Sequence, residues 1–498
     1  MITNPLTSID FYKSDHRRQY PNNTTEVYSN FTARSNRLGN FQQGENAKIV
    51  FFGLQYFIKD FLMDAWNEEF FKKPKDQVIA VYKRRMDFSL GKDAIDVSHI
   101  AALHDLGYLP LKIKALPEGT RVPMGVPVLT IVNTHPDFFW LTNYIETIIS
   151  NYLWKPTTSA TTAFAYKKIL TDYAVKTGCS KEVVQFQAHD FSFRGMSSLQ
   201  DAAMSGAGHL TSFFGTDTVP SIDLVETYYD ANAENEVVGC SVPATEHSVM
   251  CMGMQDGELA TFNRLVTQLY PAGIVSIVSD TWDFWKVVTE YTVLLKNEIV
   301  NRDGKVVIRP DSGDPVKIIA GDPDAPINSP EYKGAVACLW DVFGGTVTDQ
   351  GYKMLDSHIG LIYGDSITLE RAESILRRLA EKGFASGNIV FGVGSYTYQY
   401  VTRDNFGFAM KATSGVVDGE RRDIFKNPKT DSGAKKSAKG LLRVAYENKA
   451  IVLYDQQTEA QEKEGLLEVV FQNGTLEKSV SLSDIRKRID SELQWQKG

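Results

Sequence analysis

Two segments combine side chains that could carry out group-transfer chemistry. In RPDSGD (309–314) an arginine stands close to two carboxylates. The arginine can donate paired hydrogen bonds to a carbonyl or phosphate, and the carboxylates can bind ribose hydroxyls or Mg²⁺. His247 follows PATE (243–246), where an imidazole can contact phosphate and act as a nucleophile or a base. The alternatives are an internal Arg–Asp ion pair and a structural histidine.

Three further segments could bind phosphate. GDS (364–366) and GVGS (392–395) each follow an apolar run, and glycine lets backbone N–H groups approach a phosphate closely. Neither matches the dinucleotide or P-loop fingerprint, so each could equally be a tight connection. The basic, glycine-containing segment 426–439 could close over pyrophosphate or be a solvated loop.

These polar segments must be positioned by strands, because each follows a short apolar run in the middle of the chain. The runs are VVQFQ before His189, LTSFF before Gly215, IVSIV before Ser279, KVVI before Arg309, GLIY before Gly364 and NIVF before Gly392. Each run ends in a cluster of polar or small residues before a helical stretch begins. Strands that alternate with helices predict a parallel sheet, open or closed into a barrel, with one ligand site at the strand ends.

Two of the intervening helices have clear signals. Apolar residues from Leu369 to Leu379 recur at helical spacing, and Gly383 is the expected C-terminal stop. A second helix should begin near Phe284, with Asp280 or Thr281 as its N-terminal cap.

The outer parts of the chain favour antiparallel β structure. Residues 111–133 alternate around a Pro-Glu-Gly turn and continue into a β-branched run. Near the C-terminus, Asn473-Gly474 lies between two apolar runs, which is a strong hairpin signal.

Composition and charge narrow the class of protein. The 498 residues, 43% of them hydrophobic, suffice for two globular domains. A net charge of -8 argues against a general nucleic-acid binder. The first 20 residues are charged where a secretory leader would be apolar, and the other apolar runs are too short to cross a membrane. The four cysteines form no CxxC pair. We therefore expect a soluble cytoplasmic protein.

In combination these segments resemble the nicotinamide phosphoribosyltransferases from about residue 10 to residue 488. The matching stretches are DFYKSDHRRQYP, HDFSFRGMSS, FGTDTV, SVPATEHS, SIVSD, IRPDSGDP, YGDS, FGVGS followed by TRD, and IFKNPK. The resemblance implies an α/β fold in which an irregular α/β barrel of the type II phosphoribosyltransferase kind (151–395) is combined with a β-rich domain (1–150 and 396–498).

The same resemblance implies a reaction and its partners. Nicotinamide would react with phosphoribosyl pyrophosphate (PRPP) to give nicotinamide mononucleotide and pyrophosphate, a step of NAD salvage. ATP is the implied co-substrate and Mg²⁺ the implied cofactor, bound mainly through pyrophosphate. The family works as a homodimer whose active sites lie at the subunit interface.

For the base, the resemblance assigns Phe191 and Tyr12, the latter from the other subunit, to the two faces of the pyridine ring. It assigns Asp217 to a carboxamide N–H and Arg309 to the amide side. A carboxylate at position 217 should accept from an amide and repel the carboxylate of nicotinate, so the sequence favours nicotinamide.

The remaining assignments concern catalysis and the phosphates. The catalytic residues would be His247, which ATP phosphorylates, Asp280, which would orient it, and Asp311. Ribose and 5′-phosphate contacts are implied for Arg194, Ser241, Ser276, Gly364, Asp365, Gly394, Ser395, Arg403 and Lys411. Pyrophosphate and ATP contacts are implied for Arg34, Lys426 and Lys435. Family members commonly have a run of glycines at Gly394-Ser395-Tyr396, and serine lacks the freedom of glycine to adopt positive φ.

Three other functions compete with this interpretation. A nicotinate phosphoribosyltransferase needs a site that tolerates a carboxylate, and Asp217 argues against it. A generic barrel enzyme acting on a sugar phosphate would not depend on a pyridine base. A non-catalytic protein that binds nicotinamide nucleotides needs no phosphorylatable histidine, so the presence of His247 together with Arg309 and Asp311 argues for catalysis.

Overall fold

The fold consists of two compact units, seen in a computed structural model that describes residues 4–39, 41, 44, 47–364, 366–426 and 438–493. The β-rich unit comprises Met1–Thr161, Val225–Ala231 and Thr402–Arg488, and the barrel unit comprises Thr162–Leu224, Asn232–Val401 and Ile489–Gly498. Two predicted site residues, Asp365 and Lys435, lie outside the described residues.

The described strands fall into three groups along the chain: the first five and the last six belong to the β-rich unit, and the eight between them belong to the barrel unit. They are β1 (Thr24–Thr32), β2 (Lys48–Val50), β3 (Leu111–Ala115), β4 (Arg121–Pro123), β5 (Pro127–Asn133), β6 (Ala188–Asp190), β7 (Gly215–Thr216), β8 (Ala272–Val278), β9 (Asp303–Arg309), β10 (Gly345–Val347), β11 (Lys353–Leu355), β12 (Ile359–Tyr363), β13 (Val390–Val393), β14 (Ala409–Val417), β15 (Glu420–Asp423), β16 (Leu441–Glu447), β17 (Ala450–Gln457), β18 (Glu468–Gln472) and β19 (Thr475–Leu476).

The helices differ widely in length. They are α1 (His16–Gln19), α2 (Leu54–Tyr56), α3 (Lys75–Leu90), α4 (Ser98–Leu106), α5 (Leu141–Tyr144), α6 (Glu146–Thr177), α7 (Lys181–Val184), α8 (Leu199–Leu210), α9 (Val219–Tyr228), α10 (His247–Met252), α11 (Glu258–Arg264), α12 (Phe284–Lys286), α13 (Thr292–Leu294), α14 (Lys296–Val300), α15 (Pro315–Ala320), α16 (Pro330–Lys333), α17 (Ala335–Phe343), α18 (Leu369–Glu381), α19 (Ser395–Gln399), α20 (Glu459–Lys463) and α21 (Leu482–Asp490). Stretches of π-helix extend α2, α11 and α12. None of the described helices combines the length and apolarity needed to cross a bilayer.

The β-rich unit is built on a seven-stranded antiparallel sheet with the order β15-β14-β1-β5-β3-β18-β19. The antiparallel strands predicted within 111–133 are confirmed by the pairing of β3 with β5. The predicted hairpin is also confirmed, since β18 and β19 pair across Asn473 and Gly474. Both turn residues have positive φ, at 50° and 85°, as a two-residue type I′ turn requires.

The barrel unit contains six parallel strands in the order β7-β6-β13-β12-β9-β8. The segment 240–245 pairs with both edges of this sheet: Cys240 bridges to Gly215 in β7, and Ala244 bridges to Ser276 in β8. This segment therefore closes the sheet into an irregular barrel. The predicted fold class, an irregular α/β barrel with a β-rich domain from the two ends of the chain, is confirmed.

Two of the six predicted strand positions are wrong. VVQFQ begins inside α7 and its strand, β6, starts only at Ala188, while LTSFF contains the end of α8 and precedes the two-residue β7. Short apolar runs of this kind do not distinguish a buried helix end from a strand. The other four runs lie in or overlap β8, β9, β12 and β13.

The predicted cap of the helix near Phe284 is also wrong. Asp283 caps α12 by accepting a hydrogen bond from the Lys286 N–H at 3.1 Å. Asp280 is unavailable for this role because both of its carboxylate oxygens have other partners, His247 and Ser312 among them. The predicted helix from Leu369, by contrast, is confirmed as α18.

Helix α18 contributes to the hydrophobic core of the barrel unit. Ile375, Leu376 and Leu379 are buried among the apolar side chains of the parallel strands, whereas Glu373 on the same helix is exposed.

Replacing Ile375 with alanine should lower the free energy of unfolding by about 2–5 kcal/mol, because it leaves a cavity in a fully buried position. Urea titration followed by circular dichroism measures this change. Glu373→Ala is the matched control and should change stability by less than about 0.5 kcal/mol. Equal losses in the two variants would contradict the burial of Ile375 in the core.

Candidate active site

The carboxyl ends of the barrel strands hold most of the predicted site residues of the barrel unit. Each strand is followed directly by one or more of them: Phe191 after β6, Asp217 after β7, Asp280 after β8, Asp311 after β9, Gly364 after β12 and Gly394 after β13. Because parallel strands end at the same edge of a sheet, the barrel gathers these residues at one mouth.

Asp217 is held by two hydrogen-bond donors. Its Oδ1 accepts from His189 Nε2 at 2.8 Å and from Ser241 Oγ at 2.6 Å. Burial alone would raise the pKa of Asp217, but these hydrogen bonds and the positive charge of Arg309 outweigh it, so the pKa is lowered. The carboxylate is therefore ionised at neutral pH and acts as an acceptor. Ser241, predicted to contact ribose or phosphate, uses its hydroxyl here to hold Asp217.

Phe191 provides an aromatic surface beside this carboxylate. Its ring centroid lies 4.6 Å from that of His189, and its N–H donates to Val393 O at 2.9 Å. A Cβ atom on Gly392 would lie 2.7 Å from Phe191 Cδ2. Glycine at position 392 thus allows the phenyl ring to lie against β13.

Arg309 and Ser276 present buried polar atoms that have no partner among the described residues. The Arg309 NH2 group donates to Thr245 O at 2.8 Å, while its Nε and the Ser276 Oγ are buried without a hydrogen bond. Leaving such groups unpaired costs free energy. A polar ligand that accepted from them would remove that cost.

His247 faces two carboxylates. Its Nε2 lies 3.3 Å from Asp280 Oδ1 and 3.8 Å from Asp311 Oδ1. The other oxygen of Asp280 accepts from Asp311 N at 3.0 Å, Ser312 N at 2.9 Å and Ser312 Oγ at 2.6 Å. Burial would raise the pKa of Asp280, but these hydrogen bonds and the charge of His247 lower it. Asp280 is thus a fixed anion behind the imidazole.

The pKa of Asp311 shifts in the opposite direction. Burial, followed by the nearby negative charge of Asp280, raises its pKa above the usual value. The ligand atoms of His247, Asp280 and Asp311 all lie within 4.8 Å of one another. A cation or a hydroxyl donor at this place would relieve the repulsion between the carboxylates.

The two glycine-containing turns line the mouth between these groups. A Cβ on Gly364 would lie 3.4 Å from Asp311 Cβ, whereas one on Gly394 would meet open space. Gly394 precedes α19, which begins at Ser395. Ser395 has no positive φ, so serine is unstrained at this position. It packs against Gly195, next to the exposed Arg194.

Within the β-rich unit, four cations affect one another. Burial lowers the pKa of Lys411; the negative charge of Glu146 opposes this shift, and the positive charges of Arg34, Lys426 and Lys13 add to it. Lys13 is itself buried and forms an ion pair with Glu146. Concentrated positive charge of this kind is suited to a polyanion such as pyrophosphate.

The other predicted residues of the β-rich unit are exposed. Tyr12 is 57% exposed. Arg403 lies in a short 3-10 helix and forms an ion pair with Asp404 at 3.3 Å.

Sequence reasoning missed four residues that complete these arrangements. They are Lys13 beside Lys411, His189 on Asp217, Thr245 on Arg309 and Ser312 on Asp280. All four lie within the sequence stretches that carry the family resemblance. Local sequence, however, does not reveal which neighbour of a conspicuous residue turns towards it.

Comparisons with known proteins identify the family of the chain. Residues 186–475 match the nicotinate phosphoribosyltransferase (NAPRTase) family, and residues 4–113 match the N-terminal domain of nicotinamide phosphoribosyltransferase. A nicotinamide phosphoribosyltransferase from Acinetobacter baylyi is 62% identical over 99% of this chain and 98% of its own. One from Xanthomonas campestris is 32% identical over 98% of this chain and 99% of its own.

A solved structure of nicotinate-nucleotide pyrophosphorylase from Pyrococcus furiosus shares the fold. Its TM-score is 0.58 at 13% identity, over 97% of this chain and 94% of that one. The fold is accordingly that of the type II phosphoribosyltransferases. With the family match covering more than half of the chain and the Acinetobacter relative nearly all of it, the chain belongs to the nicotinate phosphoribosyltransferase family and, within it, to the nicotinamide phosphoribosyltransferases.

Proposed function

We propose that the chain transfers the phosphoribosyl group of PRPP to nicotinamide, giving nicotinamide mononucleotide and pyrophosphate, and couples this transfer to ATP hydrolysis. The observation that carries the proposal is the ionised Asp217 beside the Phe191 ring, with Oδ1 fixed by His189 and Ser241. This combination offers a flat aromatic contact and an acceptor for a carboxamide. The names of the relatives support the same reaction.

The base site suits an amide better than a carboxylate. Nicotinamide can donate an N–H to Asp217 and accept a hydrogen bond at its carbonyl oxygen from Arg309, whose Nε is buried and unpaired among the described residues. The carboxylate of nicotinate would instead face the negative charge of Asp217. Phe191 stacks on one face of the ring.

The transfer itself needs little acid–base chemistry. The pyridine nitrogen attacks C1 of the ribose while the C1–O bond to pyrophosphate breaks, so a C–N bond replaces a C–O bond. Asp311 accepts from a ribose hydroxyl. The other proposed contacts are Arg194, Ser276, Gly364, Asp365, Gly394, Ser395 and Arg403 for ribose and 5′-phosphate, and Arg34, Lys411, Lys426 and Lys435 for the pyrophosphate.

His247 is the proposed phosphate acceptor. Asp280 holds one ring nitrogen in its protonated form, which leaves the other nitrogen with a lone pair to attack the γ-phosphorus of ATP. A nitrogen–phosphorus bond forms as the bond to ADP breaks. The carboxylates of Asp280 and Asp311 fit Mg²⁺, which would neutralise charge on the phosphates when bound.

We further propose a cytoplasmic homodimer in which Tyr12 of a second copy covers the other face of the base. The exposed ring of Tyr12 supports this arrangement. The four cysteines form no disulfide among the described residues, which supports this compartment.

A product assay by mass spectrometry tests the reaction. PRPP and Mg²⁺ are supplied with nicotinamide or nicotinate, each with and without ATP. We expect nicotinamide mononucleotide, in a yield that ATP increases. Nicotinate mononucleotide as the only product would favour the second candidate, a nicotinate phosphoribosyltransferase, which the name of the matching family suggests.

Replacing His247 with alanine should lower PRPP-stimulated ATP hydrolysis by roughly 100-fold or more, because the nucleophile is removed, while some nucleotide synthesis remains. Phosphate release measures the hydrolysis. His358→Ala is the control, since His358 precedes β12 at the opposite end of the barrel. Undiminished hydrolysis in His247→Ala would exclude the phosphohistidine.

Replacing Asp217 with serine should reduce the preference for nicotinamide over nicotinate by about 10- to 100-fold, because the charge that repels nicotinate is lost. The ratio of the two kcat/KM values measures the preference. Asp223→Ser, at an exposed position on α9, should leave the ratio unchanged. An unaltered ratio in Asp217→Ser would argue against the amide contact.

A further inference from the structure

We infer that His189 is a positioning residue for base specificity: together with Ser241 it ties down Asp217 Oδ1, so that Oδ2 alone is presented to the base. This inference rests on the proposed function and extends it. Among the described residues Oδ2 accepts no hydrogen bond, whereas Oδ1 accepts two. The carboxylate therefore has one occupied oxygen and one acceptor available to a ligand.

Three neighbouring chain segments fix this arrangement. His189 lies in β6 and pairs in register with Gly215 of β7, the strand that Asp217 follows. Ser241 belongs to the segment 240–245, which pairs with β7 on its other side. The two donors thus reach the carboxylate from the two strands that flank it, and the Asp217 N–H is held by Asp190 O at 2.9 Å.

Gly215 provides an independent sign that the position of the imidazole matters. A Cβ atom on this residue would lie 2.8 Å from His189 Nδ1. Any side chain at position 215 would therefore push the ring away from Asp217. The glycine is needed for close approach, since the His189 side chain is only 11% exposed and has little room to move.

The fixed orientation explains how the site distinguishes an amide from an acid. Arg309 is close enough to lower the pKa of Asp217. Without its two donors the carboxylate could rotate and neutralise this arginine or move away from the base. In either case the negative charge facing the base would weaken, and nicotinate would be tolerated better.

The test compares His189→Leu, His189→Gln and Gly215→Ala by their kcat/KM values for nicotinamide and nicotinate. In His189→Leu the preference for nicotinamide should fall about tenfold or more, through a higher KM for nicotinamide and a lower KM for nicotinate, because the carboxylate of Asp217 is no longer fixed facing the base. Glutamine retains an N–H donor and should restore most of the preference. Gly215→Ala should reproduce part of the loss although it removes no polar group.

Several outcomes would overturn the inference. One is an unchanged ratio in His189→Leu, and another is a glutamine variant no better than leucine. PRPP-dependent ATP hydrolysis, which needs no base, is measured in parallel; its loss together with selectivity would indicate a merely structural role. Failure of the unaltered enzyme to make nicotinamide mononucleotide would instead contradict the proposed function itself.

Discussion

The backbone pairing of the segment 240–245 with both edges of the parallel sheet is the constraint on which the site depends. Cys240 exchanges hydrogen bonds with Phe214 and Thr216 at 2.8 and 3.0 Å, and Thr245 N donates to Ser276 O at 3.0 Å. The segment closes the barrel and at the same time delivers functional groups. Ser241 reaches Asp217, the Thr245 carbonyl accepts from Arg309, and His247 follows directly as the first residue of α10. The short segment that closes the barrel therefore also holds polar groups of the site in place.

Several polar groups of the site lack some of the hydrogen bonds or neutralising charges that would stabilise them. Asp280 and Asp311 are close together, and their pKa values move in opposite directions. Hydrogen bonds lower the pKa of Asp280, whereas burial and then the charge of Asp280 raise the pKa of Asp311. Buried donors on Arg309 and Ser276 are unpaired among the described residues. Ligands that supply acceptors or positive charge would relieve these costs, so the arrangement of the protein groups itself favours binding.

Much of this architecture was predictable because local patterns and long-range pairing agree. The strand that leads to Arg309 is a β-branched run that ends in a polar turn, and the Asn473-Gly474 hairpin follows from the φ values its turn requires. Prediction failed where an apolar run served as a helix end, as in α7. It also failed for His189 and Lys13, since the direction of a side chain depends on partners far away in sequence.

Neighbouring strands of the barrel carry groups with related roles in the proposed reaction. β6 and β7 carry most of the groups that would recognise the base, β13 and β12 carry the two glycine turns, and β9 and β8 carry the carboxylates that face His247, with Arg309 of β9 as a further proposed base contact. Since segment 240–245 pairs with both β8 and β7, the strands nearest His247 and the strands nearest Asp217 are also neighbours in the closed barrel. Gly392 and Gly215 occur where the ring of Phe191 or of His189 lies closer to the backbone than a Cβ atom would allow. A parallel barrel thus places loops that follow one another in sequence next to each other in space. The glycines allow the side chains of neighbouring loops to approach each other closely, because glycine has no Cβ atom.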